Sequence, residues 1–184
     1  MMSLKFANEV FGWTRALALV TGLAFAGLSS AAEVPVPESL VAPGAVAESA
    51  VIFARGSQIY RCEPDPVAPG SGKWVFQAPE ADLFQDAAFT KLMGRHYDGP
   101  TWEAFDGSKV AGKSRASVPS ASPKAIPQLL LDALPTPSSG VFQGVSFIQR
   151  LDTKGGVAQD VACGKGLLGT QLRVPYTAAY VFYK

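Results

Sequence analysis

Alternation of apolar and polar side chains is the dominant signal along this chain. From Leu172 to Tyr183 it sets Tyr176, Tyr180 and Phe182 on one side and Thr177, Val181 and Tyr183 on the other. A period of two over such a length predicts a core-forming strand. Lys73 to Gln77 repeats the pattern, with Trp74 and Phe76 opposite Val75, and Val141 to Leu151 reads as a longer strand with Val141, Val145, Phe147 and Leu151 opposite Phe142 and Ile148. Ser49 to Cys62 holds two β-rich runs about Arg55-Gly56, the pattern of a hairpin around a tight turn. Leu92 to Tyr97 and Thr101 to Phe105 flank Asp98-Gly99-Pro100, and Asp106-Gly107 before Ser108 to Ala111 is the strongest hairpin signal present.

Other stretches break the alternation. Pro35, Pro37 and Pro43 make Glu33 to Ala47 an extended leader along the domain edge, and Pro64 to Gly72 and Ser114 to Lys124 read as loops. Ala78 to Gln85 fits either a turn or one helical turn. Ile126 to Leu134, with Pro127 in its first turn and a run of leucines, predicts the single short helix. Lys154-Gly155-Gly156 turns the chain into a return strand from Val157 to Cys163. Eight to ten short strands and one helix predict a mostly β, single-domain antiparallel sandwich or barrel.

Composition changes this picture mainly at the N-terminus. Of 184 residues, 48% are hydrophobic and 17% charged, the balance of a globular domain. Lys5 and Arg15 precede an apolar run, Ala16 to Gly27, too short to span a bilayer, and Ser30-Ala31-Ala32 supplies a small-residue cleavage site. Residues 1–32 therefore read as a Sec-type signal peptide and residues 33–184 as the exported domain, periplasmic or extracellular. Its removal takes two basic and one acidic side chain from totals of 16 and 15, leaving 14 of each. A neutral domain argues against nucleic acid as a partner and against polybasic membrane attachment, and no stable membrane insertion is expected after cleavage. Cys62 and Cys163, an even pair in an exported chain, predict one disulfide.

Candidate chemistry concentrates between Gly94 and Gly112, which holds the only histidine, His96. With Glu103 or Asp106 as an orienting carboxylate it would serve as the base of a hydrolase or lyase. One histidine with carboxylates is a poor zinc set, and no metal or other cofactor is implied. Gly164 to Gly169 satisfies G-x-G-x-x-G, but a strand rather than a helix follows it, so it reads as a glycine-rich loop. Trp74, Trp102, Tyr60 and Tyr97 offer aromatic surface, and Arg95, Tyr97, Trp102 and Lys109 form the candidate ligand-binding set. The leading expectation is a non-enzymatic binding module for a small molecule, glycan or envelope component.

The ordered runs IYRCE, WVFQAPEADLF, GRHYDGPTWEAFDGSKVAGK, FIQRLDTKGG, Cys163 and RVPYTAAYVFY cover nearly all of the expected exported domain. In them the chain resembles a family of exported bacterial and fungal proteins known as domain of unknown function 3455. Some fungal members carry a malate dehydrogenase label, which the missing βαβ context does not support here. The resemblance implies no catalytic residues.

Overall fold

The computed structural model describes residues 36–44, 48–137, 139–159 and 161–184. The expected signal peptide lies outside them. Eight strands follow one another: β1 (Glu48–Pro64), β2 (Gly72–Phe84), β3 (Leu92–Tyr97), β4 (Thr101–Ala104), β5 (Lys109–Val118), β6 (Gln128–Leu134), β7 (Phe147–Gly155) and β8 (Gln171–Tyr183). Each pairs antiparallel with the next, and β8 pairs back onto β1, so the sheet closes into a barrel. Closure leaves no free sheet edge.

Antiparallel order sends every second connection to the same end. The β1–β2, β3–β4, β5–β6 and β7–β8 connections gather at one end, here the upper end, and the other three at the lower end. The Cys62–Cys163 disulfide, spanning 101 residues, joins the upper end of β1 to the β7–β8 connection. The pairing expected from the two cysteines is therefore present.

Several elements differ from their sequence pattern. Arg55-Gly56 is not a turn: β1 runs unbroken through it, pairing with β2 on one side and β8 on the other. A Cβ at Gly56 would lie 2.2 Å from the Glu80 carbonyl oxygen and 2.4 Å from Ala81 Cα. Gly94 is as crowded, with the Glu103 carbonyl oxygen at 2.1 Å. Glycine here permits the close approach of neighbouring strands that a small closed barrel requires. The undecided stretch from Ala78 to Gln85 continues β2 through Phe84, and β5 extends to Val118, into the expected Ser114–Lys124 loop.

The expected helix, Ile126 to Leu134, is strand β6. Leu129 and Leu131 pack with the interior cluster, whereas Leu130 packs outside with Leu151 and Val181 beneath Leu40 and Ala42 of the leader. Both faces of β6 are thus covered, which removes the alternation expected of a half-exposed strand. The leader holds a 3-10 turn, Glu38–Leu40, and Gln149 Nε2 donates to the Leu40 carbonyl oxygen at 2.6 Å. The expected strand from Val141 begins only at Phe147, because residues 141–144 form turns that carry Phe142 into the lower end of the barrel. No strand forms from Val157 to Cys163 among the described residues.

Candidate functional site

Strand alternation decides which residues of the 94–112 stretch meet. On β3 and β4, His96 and Trp102 face inward and are each 1% exposed. Arg95, Tyr97 and Glu103 occupy the alternate, outward positions, as Lys109 does on β5. Of the expected ligand-binding set, Trp102 alone belongs to the interior. The other three gather on the outer face around Glu103, which accepts a hydrogen bond from Tyr97 Oη at 2.7 Å, lies 3.1 Å from Lys109 Nζ and has Arg95 as its cross-strand neighbour. The Tyr97 bond and then Lys109 lower the Glu103 pKa, and the same bond raises that of Tyr97.

His96 and Glu103 are therefore not brought together. His96 Nδ1 lies 2.9 Å from the Thr101 carbonyl oxygen. A carbonyl only accepts, so Nδ1 carries the hydrogen. Burial drives the His96 pKa down to about 3, with Arg150 acting in the same direction and the Thr101 carbonyl opposing. The imidazole is neutral at physiological pH and serves as a ring, stacked on Trp102 at 4.4 Å between centroids and 15° between planes.

Asp106 does structural work at the lower end. Its Oδ1 accepts from the Ser108 backbone N–H and hydroxyl at 2.8 and 2.6 Å, and its Oδ2 accepts from the Val141 N–H at 2.9 Å. Ser108 Oγ in turn accepts from the Phe142 N–H at 3.4 Å. These bonds lower the Asp106 pKa, Ser108 first, and hold in place the turn that seats Phe142 against Phe182. Phe142 closes that end.

The upper half of the barrel holds a cavity of about 600 Å³ that opens to solvent at that end. Its deep wall holds His96, Trp102, Tyr180, Leu131 and Gln58, and its rim includes Tyr60, Phe76, Lys113, Pro127 and Arg150. Tyr180 stands edge-on to both His96 and Trp102, at 5.2 and 5.1 Å. The rim is tied together: Tyr60 Oη donates to the Gly156 carbonyl at 2.6 Å, Thr153 Oγ1 to the Ile126 carbonyl at 2.6 Å, and Arg150 Nε to the Pro127 carbonyl at 3.0 Å.

Four buried polar atoms in this region have no hydrogen-bond partner among the described residues: Gln58 Nε2, Trp102 Nε1, Tyr176 Oη and Tyr180 Oη. The two tyrosine hydroxyls are near enough to affect each other's proton affinity without reaching hydrogen-bonding geometry; burial raises both, and Arg150 opposes it in each. Leaving such an atom unpaired costs about 1–3 kcal/mol. Three of the four belong to cavity-lining residues.

Sequence reasoning singled out His96, Trp102 and Tyr60 but not Gln58, Arg150 or Tyr180 as a group. Trp74 and Tyr97, the other aromatic candidates, lie elsewhere, and Trp74 Nε1 donates to the Val161 carbonyl at 2.8 Å. Gly164 to Gly169 holds a 3-10 turn, Lys165–Leu167, between β7 and β8. Among the described residues no cluster of histidine, cysteine and acids suits a metal ion, and no helix is long and apolar enough to cross a membrane.

No curated protein and no solved structure shows significant similarity to the chain. A family profile matches it over residues 43–184, from the end of the leader through the whole barrel, and on that match the chain belongs to the family described as protein of unknown function, DUF3455.

Proposed function

We propose that the protein is an exported, non-enzymatic binding domain, residues 33–184 after loss of a signal peptide, whose ligand is a small molecule held inside the barrel. The observation that carries this reading is the cavity of about 600 Å³ in the upper half of the barrel, lined by Trp102, Tyr180, Leu131 and Gln58 with Arg150 at its rim. Ligand sites characteristically combine a mostly apolar wall of roughly 300–1,000 Å³ with a few placed polar groups. Eight strands give a barrel wide enough to hold one small ligand. A largely apolar wall of this volume suits a small molecule better than a glycan chain or a polymeric envelope component. The disulfide fits export, since such bonds persist in oxidising compartments.

A hydrolase or lyase built on His96 with Glu103 or Asp106 has less support. The hydrogen bonds of those two carboxylates run to Tyr97, Ser108 and Val141. The test is a thermal-shift screen of small molecules against the protein and a Leu129→Trp variant that fills the cavity. Compounds that stabilise the parent and not the variant support the reading. A screen without stabilisers, or with stabilisers that act equally on both, refutes it.

A further inference from the structure

The chemistry of the cavity is one-sided. Gln58 Nε2 and Trp102 Nε1 only donate hydrogen bonds, and the Tyr180 hydroxyl is free to donate. Arg150 and Lys113 both border the space, Lys113 from an outward strand position opposite Asp132, and the single acid there, Asp98, already accepts at Oδ1 from the Gly99 N–H at 2.7 Å.

Arg150 is the more telling cation. It pairs in register with Tyr180 of β8 and Leu129 of β6, so it projects to the same side of the sheet as the cavity wall. Nε is used on the Pro127 carbonyl, and the guanidinium has no ion-pair partner among the described residues. Its charge reaches Tyr60, His96, Tyr176 and Tyr180, the polar lining of the barrel's upper half. A guanidinium at the edge of an apolar space, oriented by the Pro127 carbonyl and lying beside the Tyr180 hydroxyl, presents the fork that a carboxylate fits.

We propose that the ligand is an organic monocarboxylate: its carboxylate sits on the Arg150 guanidinium at the rim, and its apolar, ring-sized body lies against Trp102, Tyr180 and Leu131. Aromatic edges around the cavity favour a flat ring over a long acyl chain. This inference rests on the barrel interior being a binding site.

The experiment is calorimetric titration of the protein with 2-naphthylacetate and with its neutral amide, repeated on Arg150→Gln and Arg150→Lys. The expected result is binding of the acid at least tenfold tighter than the amide, with the preference lost in Arg150→Gln and partly kept in Arg150→Lys. Equal binding of acid and amide to the parent overturns the carboxylate assignment while leaving the interior site standing. An acid preference unchanged in Arg150→Gln overturns the role of Arg150. Binding of neither probe removes both this inference and the site on which it rests. The comparison of acid with amide on the parent protein decides the matter even where a variant fails to fold.

Discussion

His96 and Trp102 are directly cross-strand neighbours on β3 and β4, and their rings stack in parallel at 4.4 Å inside the closed barrel. A neutral imidazole is what this stack accommodates. The folded-state pKa of about 3 lies below the ordinary 6.5, so the unfolded chain binds the extra proton first. Stability contributed by neutral His96 is complete above pH 6.5 and is lost as the pH falls from there toward 3. At about 1.4 kcal/mol per unit the loss amounts to several kcal/mol. Urea midpoints measured from pH 7 to 4 are expected to fall more steeply for the parent than for His96→Phe. Parallel slopes would contradict a buried neutral imidazole.

Among the described residues Trp102 is the largest fully buried side chain, in contact with His96, Tyr180 and Phe182. Trp102→Ala is expected to destabilise by about 3–5 kcal/mol in chemical denaturation, the range for deleting a buried aromatic. A loss under 1 kcal/mol would show that the ring is not part of the core.

The interior ring cluster was legible in part. Alternation from Leu172 to Tyr183 placed Tyr176, Tyr180 and Phe182 together, and the turns at Asp98-Gly99 and Asp106-Gly107 delimited β3, β4 and β5. What stayed hidden depends on barrel closure. Gln58, Trp102, Arg150 and Tyr180 come from β1, β4, β7 and β8, and no local pattern announces that they share one cavity. The leucines of β6 read as a helix because Leu40 covers the outward Leu130, leaving that strand apolar on both faces. Gly56 read as a turn because a strand glycine required by a close neighbouring backbone is indistinguishable, in one sequence, from a glycine required by a turn.

Reduction or removal of the Cys62–Cys163 bond opens a constraint of 101 residues. Cys62→Ala with Cys163→Ala is expected to lower stability by about 2–5 kcal/mol, the usual cost of deleting a native disulfide. Thermal unfolding with and without reductant, on parent and double variant, checks this. Reductant should lower the transition of the parent to that of the variant and leave the variant unmoved.

Asp106 acts through the turn that carries Phe142. Asp106→Ala is expected to lower the melting temperature, and adding Ser108→Ala should cost less than the sum of the separate effects, because the two side chains bond each other and hold the adjacent Val141 and Phe142 amides, one each. Fully additive losses would show two independent roles.

Whether the barrel interior receives a small molecule is read most directly at the Trp102 indole, because that ring lines the cavity. In a nitrogen-resolved NMR titration with 2-naphthylacetate, a large, saturable shift of the Trp102 indole resonance is expected while that of Trp74, bonded to the Val161 carbonyl, stays in place. A Trp102 resonance that remains fixed at saturating probe would contradict an interior site.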